Sequence, residues 1–281
     1  MSSNEKQKIS VLMSVYKNDN AEWFATAIDS VCKQTLTPDE VVLVIDGPVP
    51  DAVLKVIEDK KKEFPFIKEH QLEKNVGLGN VLRMGVPLCE NEIIARMDSD
   101  DISVVDRFEK QLSYLEENEL DIVGSDIEEF CDTPDEIVSV REVPKTQEEI
   151  KTYIKSRNPF NHMTVMMRKS KVLSAGNYQD MHYCEDYYLW CRMYLDGAKM
   201  ANMPERLVKA RMNADTFKRR GGYKYFKSQK KLFKFMRKNG ILNFFSYYKT
   251  LFARFVVHVL MSGKLKEKIY KKHLRKSTNE N

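Results

Sequence analysis

Apolar runs alternate with amphipathic stretches along the first half of the chain. Continuous apolar runs at 8–16 and 40–47 are each followed by a stretch with helical spacing, at 21–34 and 51–64. The alternation continues through a weaker strand at 67–72, a helix at 77–88, a strand at 92–98 and a helix at 105–118. Apolar strands separated by helices predict an α/β fold with a mostly parallel, Rossmann-like sheet that is covered by helices on both faces.

The pattern becomes less regular after a further predicted strand at 121–130. Helices are predicted at about 146–157 and 185–198, and a last strand at 206–212. The stretch 158–178 between them indicates a loop, a strand and a short helix. With 281 residues, of which 42% are hydrophobic, the chain is long enough to bury a large core.

Acidic residues follow two of the predicted strands. Asp46 ends the second strand, and the stretch IIARMDSDDIS (93–103) runs from apolar residues into Asp98, Asp100 and Asp101. In open α/β sheets, ligands bind beyond the carboxyl ends of the strands, which is where Asp46 and Asp98 are expected. The three clustered carboxylates repel one another, so the stretch needs an explanation.

Several kinds of site fit this cluster. A solvated turn that caps the next helix, an acid/base pair of carboxylates and a divalent metal site are all compatible with the spacing. Mg²⁺ and Mn²⁺ bind through one or two carboxylates together with substrate phosphates. An EF-hand is excluded, because its fifth and sixth positions would be Ile102 and Ser103 instead of an oxygen ligand and a glycine. Spacing alone leaves the other three open.

The charge of the chain changes sign towards its end. Residues 1–216 carry 27 basic and 39 acidic residues, whereas 217–281 carry 19 basic and 2 acidic ones. Such a change indicates a catalytic body followed by a surface for an anionic partner. We therefore predict a catalytic domain at 1–216, with halves at about 1–130 and 131–216, and a basic helical tail at 217–281.

Aromatic residues alternate with lysines in this tail. One predicted helical face carries Tyr248, Leu251, Phe252, Phe255, Val256 and Val259. Lys249, Arg254 and His258 interrupt the apolar run, so the pattern favours a helix lying on an anionic membrane surface over one that spans it. Packing of this face on the catalytic body, or on a second copy of the chain in a homodimer, fits the pattern as well.

Nucleic acid is the main rival partner, since basic residues interleaved with aromatic ones also suit single strands. The acidic front part would repel a phosphate backbone, and the sequence has no RNP-type or helix-turn-helix signature, so we expect no nucleic acid. Five cysteines without a C-x-x-C pair favour reduced thiols and a cytoplasmic setting. The first residues, MSSNEKQKIS, show no secretory signal.

Six segments in order resemble the bacterial glycosyltransferase family 2, which has the GT-A fold. They are ISVLMSVYKND, NVGLGNVLRMG, IARMDSDDIS, NPFNHMTVMMRKS, EDYYLWCRM and KRRGGYKY. A single D-x-D triplet occurs by chance in many proteins, but six motifs in family order are specific. Within the family, the chain is most similar to transferases that extend lipid-linked capsule, exopolysaccharide or O-antigen units.

The resemblance implies a nucleotide site at the strand ends. Val15 and Tyr16 match the family's nucleotide-contacting turn, and Asp46 matches the acid that reads the uracil edge. Asn75 and Gly77 match the N-x-G segment that closes over the uridine. A dinucleotide fingerprint is not implied, because the third glycine is absent.

The resemblance also gives roles to the clustered aspartates. Asp98 and Asp100 match the D-x-D pair, with Asp98 towards the ribose and Asp100 towards Mn²⁺ or Mg²⁺, and both as metal residues. Asp101 is then left as a cap of the next helix. His162, in the NPFNH segment, is implied to contact the diphosphate or the acceptor.

The proton chemistry is implied elsewhere. Asp186 of the E-D motif matches the family's general base, and Glu185 matches the neighbour that orients the acceptor. Arg219 and Arg220 match a clamp on the diphosphate, with Gly221 and Gly222 allowing lid movement.

The expected enzyme is an inverting, metal-dependent hexosyltransferase, with galactose or glucose as the sugar. Its donor would be a UDP-sugar and its acceptor a saccharide on a polyprenyl diphosphate, at the inner face of the cell membrane. The alternatives are a basic-tailed nucleic-acid-binding protein and a nucleotide-sugar transferase that acts on a soluble or protein acceptor.

Overall fold

The structure is a computed structural model that describes residues 7–212 and 222–260. Within these ranges the strands are β1 Ile9–Tyr16, β2 Glu40–Asp46, β3 Ile67–Gln71, β4 Ile93–Arg96, β5 Ile102–Ser103, β6 Ile122–Phe130, β7 Ile137–Arg141, β8 Met166–Arg168 and β9 Met200–Arg211. The α-helices are α1 Ala21–Cys32, α2 Asp51–Glu63, α3 Leu78–Leu88, α4 Arg107–Glu117, α5 Gln147–Tyr153, α6 Lys169–Ser174, α7 Glu185–Leu195, α8 Gly222–Lys238 and α9 Phe244–Phe255. A short 3₁₀ turn spans His162–Thr164, and a π-helical turn, Val256–Leu260, continues α9.

All the strands belong to one sheet, in the order β3-β2-β1-β4-β8-β6-β9-β5, with β7 paired to β6. The first four strands are parallel, so their carboxyl ends lie along one edge. From β8 onwards the sheet is mixed, because β8 runs antiparallel to both β4 and β6 whereas β9 is parallel to β6. The predicted parallel sheet is therefore confined to the part that ends at Asp46 and Arg96.

Successive residues of the central strands pack into two different cores, which explains their continuous apolar sequence. Val11 and Met13 of β1 contribute to the core shared with α1, α2 and α4, whereas Leu12 contributes to the core shared with α3 and α7. Trp190 of α7 is the largest side chain that is fully buried, and it lies in this second core.

Both C-terminal helices contact the second core. Leu232, Phe233 and Met236 of α8 are fully buried there, and Tyr247 of α9 is also buried. Burial of these side chains fixes α8 and α9 against the body of the molecule. The predicted division of the chain into a catalytic domain and a tail at residue 216 stays a prediction.

The predicted apolar face of the tail helix is partly buried and partly exposed in the structure. Tyr248 and Phe252 are exposed, whereas Leu251 packs partly against the second core and Phe255 packs edge-to-face on Phe226 with a centroid separation of 5.3 Å. The physical reason is that α9 packs on the body along one edge of its apolar stripe. Only the other edge remains open to solvent.

Most predicted elements are confirmed to within a few residues, including α1 to α4, β6 and the strand and helix at 166–174. The short strands β5 and β7 are not among the predicted elements, and β9 begins at Met200, six residues before the predicted start at 206. These segments have little apolar periodicity of their own. They form strands because neighbouring strands provide hydrogen-bond partners.

Candidate active site

A large cleft, with a volume of about 2950 Å³, lies at the carboxyl ends of β1, β2 and β4. Its lining includes Tyr16, Asp46, Asp98 and Asp100 from this edge of the sheet, and Asp186 from the start of α7. Residues that are separated by up to 170 positions in the sequence therefore share one cavity.

The Asp46 carboxylate organises the loop that follows β3. It accepts hydrogen bonds from the backbone N–H of Val76 at 2.6 Å and of Gly77 at 3.1 Å, and from the side-chain amide of Asn75 at 2.8 Å. Asp46 is 5% exposed and still lines the cleft. The acid at the end of β2 thus fixes the segment that forms one wall of the cavity.

Gly47 lets this loop approach the strand end closely. Its φ angle is +80°, and a Cβ atom placed on it would lie 2.5 Å from the backbone nitrogen of Asn75. Any other residue would therefore be strained and would also push the loop away. This contact therefore requires a glycine directly after β2.

The three aspartates after β4 form a compact acidic cluster. One carboxylate oxygen from each of Asp98, Asp100 and Asp101 lies within 4.8 Å of the other two. Burial and the nearby carboxylates of Asp98 and Asp19 raise the pKa of Asp100 to about 7, and burial and the neighbouring aspartates also raise that of Asp101. An all-oxygen donor set whose charges repel one another suits a hard divalent cation, so these residues fit Mn²⁺ or Mg²⁺.

Arg96 is the basic partner of this cluster. It is 1% exposed, forms an ion pair with Asp98, and lines the cleft. Within the described part of the chain, its Nε and Nη1 atoms have no hydrogen-bond partner. A fully buried guanidinium therefore compensates part of the negative charge and has donors left.

The Glu185–Asp186 pair begins α7 on the other side of the cleft. Asp186 Oδ2 accepts a hydrogen bond from the side-chain amide of Asn158 at 2.6 Å, and its Oδ1 accepts one from the backbone N–H of Tyr187 at 2.6 Å. Glu185 is 8% exposed, and burial together with the Asp186 charge raises its pKa to about 7. Asp186 is partly exposed to the cleft and is held in a fixed orientation.

His162 lines the same cleft as the two acidic groups. Its Nε2 atom is 2.9 Å from the hydroxyl of Tyr178. Burial and the charge of Arg96 lower the pKa of His162 well below its usual value. A neutral imidazole can donate or accept a hydrogen bond, so His162 is suited to contact a polar ligand group without carrying charge.

Residues 10–176 match the model of the family described as glycosyl transferase family 2. The chain belongs to glycosyl transferase family 2. It is 40% identical to the amylovoran biosynthesis glycosyltransferase AmsE of Erwinia amylovora, over 80% of this chain and 84% of that protein.

A second relative comes from Escherichia coli and is named UDP-Gal:alpha-D-GlcNAc-diphosphoundecaprenol beta-1,3-galactosyltransferase. It is 35% identical, over 98% of this chain and 99% of its own length. Among solved structures, S. aureus TarS 1-349 in complex with UDP-GlcNAc superposes with a TM-score of 0.67 at 17% identity, over 92% of this chain and 75% of that one. The predicted family and its GT-A fold are thereby confirmed.

The glycosyltransferase fold brings most of the predicted site residues into the same cleft. The lining includes Val15, Tyr16, Asp46, Asn75, Gly77, Asp98, Asp100, His162, Glu185 and Asp186. Val15 is 1% exposed, so its side chain serves mainly in the core. Arg219 and Arg220, the predicted clamp, lie outside the described residues.

The prediction for Asp101 as a helix cap is wrong. The residue that precedes α4 is Asp106, and β5 lies between Asp101 and this helix. Asp101 is 2% exposed and accepts a hydrogen bond from the backbone N–H of Arg211 at 2.8 Å. In this family 2 enzyme it joins the aspartate cluster to β9, because the chain forms a strand before it forms the helix.

Three residues of the cleft were not predicted from the sequence. Asn158 orients Asp186, and Arg96 pairs with Asp98. Gly79 lets α3 approach α7, since a Cβ atom on it would lie 3.1 Å from the Cβ of Glu185. The sequence does indicate that Arg96 has a special role, because a lone arginine within the apolar run IIARM is unusual for a buried strand. Asn158 and Gly79 act through tertiary contacts that no local pattern indicates.

Proposed function

We propose that this glycosyltransferase moves a hexose, galactose or glucose, from a UDP-sugar to a saccharide linked to a polyprenyl diphosphate, in the synthesis of cell-surface polysaccharide. The observation that carries the proposal is the shared cleft, which is lined by both the aspartate cluster after β4 and the Glu185–Asp186 pair. The E. coli relative is named for UDP-galactose and a diphosphoundecaprenol acceptor, and it aligns over almost the whole chain.

The nucleotide would occupy the strand-end side of the cleft. Asp46, Asn75 and Gly77 would hold the uridine, Val15 and Tyr16 would contact it from β1, and Asp98 would reach its ribose. The hydrogen bonds from residues 75–77 to Asp46 support this assignment, because they pre-form the wall before a ligand arrives. Arg219 and Arg220 remain proposed clamps of the diphosphate.

Asp100 and Asp98 would hold Mn²⁺ or Mg²⁺, and Asp101 lies close enough to contribute. When bound, such an ion neutralises charge that develops on the departing diphosphate. The closeness of the three carboxylates supports this proposal, since a divalent cation would neutralise their mutual repulsion.

Asp186 would act as the general base. Its carboxylate would accept the proton from the attacking acceptor hydroxyl, while the hydroxyl oxygen bonds to the anomeric carbon from the face opposite the diphosphate, which leaves with the bonding electrons. This displacement inverts the anomeric configuration. The hydrogen bond from Asn158 fixes the carboxylate, and Glu185 and His162 would orient the acceptor and the diphosphate.

The basic helical tail at 217–281 would hold the catalytic domain, 1–216, on the inner face of the membrane. Residues 222–260 contain nine basic and no acidic residues. Phe245 and Phe252 of α9 are 82% and 71% exposed. Cationic helices with exposed aromatic rings suit anionic lipid surfaces. Among the described helices, none is long and apolar enough to cross a bilayer.

Sedimentation with anionic vesicles tests this location. We expect binding that weakens with salt and is lost when Phe245 and Phe252 become aspartate, with Leu54→Asp/Leu173→Asp, at two exposed apolar positions outside the tail, as the control. Equal sedimentation of all three proteins would remove the aromatic face from the membrane contact. Binding to oligonucleotides instead of vesicles would favour the nucleic-acid alternative.

The function itself is tested with a panel of UDP-sugars and a synthetic lipid-diphosphate saccharide. We expect UDP release with UDP-galactose or UDP-glucose that depends on the acceptor, stops with EDTA and returns with Mn²⁺ or Mg²⁺. Turnover that EDTA leaves intact would contradict metal dependence. Transfer only to soluble saccharides or to protein would contradict the acceptor class.

A further inference from the structure

The cleft extends beyond Asp186 to a rim between α9 and the segment that follows α5. The face of α9 and of the turn after it that lines the cleft carries Ser246, Lys249, Thr250, Ala253, Arg254 and Val257. These positions recur every three or four residues, so they form one continuous helical face. The opposite wall includes Lys155, Ser156 and Arg157.

Four cations, which we call the cationic rim, lie along these two walls: Lys155, Arg157, Lys249 and Arg254. Among the described residues, no ion pair is formed between any of the four and a carboxylate. The guanidinium of Arg254 donates a hydrogen bond to the carbonyl oxygen of Ser156 at 2.5 Å and thereby joins the two walls. The rim is thus a concentration of positive charge that the described part of the protein does not neutralise.

The acidic residues of the neighbouring helix α5 are already engaged. Glu148 pairs with Lys151 at 3.4 Å, and Glu149 accepts hydrogen bonds from the backbone N–H of Lys145 and of Thr146 in a capping box. An anion at the rim would therefore meet unpaired cations and not free carboxylates of α5.

The outer face of α9 differs from its cleft face. Phe244, Phe245, Tyr248 and Phe252 are between 49% and 82% exposed. On a helix these positions lie roughly 110–170° away from the centre of the cleft-lining face. One helix therefore presents cations to the cleft and aromatic rings to the outside.

We propose that the cationic rim binds the diphosphate of the lipid-linked acceptor. The inference rests on the proposed function and deepens it by naming the protein groups that would recognise the acceptor class. The saccharide would extend inwards to Asp186, the diphosphate would contact Lys155, Arg157, Lys249 and Arg254, and the lipid would leave past the aromatic face of α9. Each part of such an acceptor has chemistry that matches the surface assigned to it.

The donor also contains a diphosphate, so the two sources of the same chemistry must be separated. The donor's diphosphate belongs beside the aspartate cluster that ends β4, whereas the cationic rim is built from residues 155–157 and 249–254. A diphosphate that binds at the rim should therefore bind together with UDP and not in competition with it.

The test measures binding of farnesyl diphosphate by calorimetry in the presence of saturating UDP and Mg²⁺. We expect the wild-type protein to bind it and the variant Lys155→Gln/Lys249→Gln to bind at least about tenfold more weakly, because two charge-assisted contacts are lost. Both lysines are exposed, so the variant should fold, and it keeps the Arg254–Ser156 contact. The matched control is Lys231→Gln/Lys234→Gln, which removes two exposed charges of α8 that do not line the cleft.

Three results would overturn the assignment: no binding to the wild-type protein, equal affinity of both double variants, or displacement of farnesyl diphosphate by UDP. Farnesol should not bind, since it lacks the diphosphate. Turnover with the UDP-sugar panel is measured on the same proteins. If the wild-type protein shows no turnover but binds farnesyl diphosphate in a charge-dependent way, the proposed reaction is wrong and the assignment of the cationic rim stands. If turnover to a lipid-linked saccharide is unaffected in Lys155→Gln/Lys249→Gln, the proposed reaction stands and the assignment of the rim is wrong.

Discussion

The two sides of the cleft are built in different ways. On the strand-end side, Tyr16 and Asp46 are the paired last residues of β1 and β2, and Asp98 follows two residues after the neighbouring parallel strand β4, so the sheet fixes their positions. On the other side, Asp186 begins a helix and is oriented by Asn158, which lies 28 residues earlier in a loop. The first side is positioned by the sheet itself, and the second side is positioned by packing between elements distant in the sequence.

The two sides of the cleft should therefore respond differently to substitutions. A substitution at a strand end alters a ligand contact but leaves the sheet intact, since the strand continues to pair. A substitution on the helical side alters the orientation of the proton acceptor, which depends on single hydrogen bonds. The proposed donor chemistry and the proposed acceptor chemistry should therefore be separable by mutation.

The largest expected effect is on the helical side. Asp186→Asn should reduce transfer on the order of 10²–10⁴-fold, because an amide cannot accept the proton from the acceptor hydroxyl. The affinity for UDP, measured by calorimetry, should not change. The control is Asp196→Asn at the exposed end of the same helix. Comparable turnover of Asp186→Asn and wild-type enzyme would remove Asp186 from the role of base.

The next effect concerns the strand-end side. Asp100→Asn, or removal of divalent ions by EDTA, should lower the affinity for UDP on the order of 100-fold, because the ion joins carboxylates to the diphosphate. In contrast to Asp186→Asn, the loss should appear in binding as well as in turnover. Asp51→Asn, in the first turn of α2 and outside the cleft, is the control. If Asp100→Asn binds UDP and Mn²⁺ normally, the aspartate cluster is not the metal site.

The sequence predicted the strand-end side better than the helical side for a physical reason. A buried strand is recognised by its continuous apolar residues, so the sequence alone predicts Asp46 and Asp98 at one edge of a sheet. The Asn158 contact to Asp186 joins residues 28 positions apart, and the Arg254 contact to Ser156 joins residues 98 positions apart. Neither contact follows from local periodicity.

Arg96 and Asp101, on the strand-end side, also have contacts that local sequence patterns do not predict. Their positions in the sequence were clear, but their partners were not. Arg96 is the last residue of β4 and pairs with Asp98 two positions further on, and Asp101 reaches Arg211 because β5 pairs with β9. Sequence motifs were thus sufficient to identify the residues of the candidate site. The pairing of its charged groups depends on the fold and could not be predicted from the motifs.

Glu185 provides a pH-dependent test of the helical side. Its pKa is raised to about 7 from 4.5, mainly by burial and then by Asp186, so the folded protein holds a proton that the unfolded chain releases between these values. Stability should therefore fall as the pH rises through this window. Glu185→Gln should be more stable than wild type by on the order of 2–3 kcal/mol at pH 8, with no difference near pH 4.

Urea denaturation at several pH values measures this effect, with Glu148→Gln on exposed α5 as the control. A wild-type stability that rises between pH 5 and pH 7, with this rise absent in the Glu185→Gln variant, would reverse the expected sign. It would show that Glu185 is charged in the folded protein at neutral pH and has a stronger positive partner than Arg96.

The smallest expected effect lies where the two sides touch. Gly79 of α3 packs against Glu185 of α7, and a methyl group there would meet the Glu185 Cβ at 3.1 Å and the Gln179 carbonyl oxygen at 3.3 Å. Gly79→Ala should reduce transfer by only a few-fold, because α7 shifts by a few tenths of an ångström. Thermal stability should change little, since alanine's better helix propensity, about 1 kcal/mol, opposes the contact. The control is Arg83→Ala on the exposed face of α3, which should leave transfer unchanged. An equal loss of transfer in both variants would show that α3 as a whole affects the proposed base, and not its contact with Glu185.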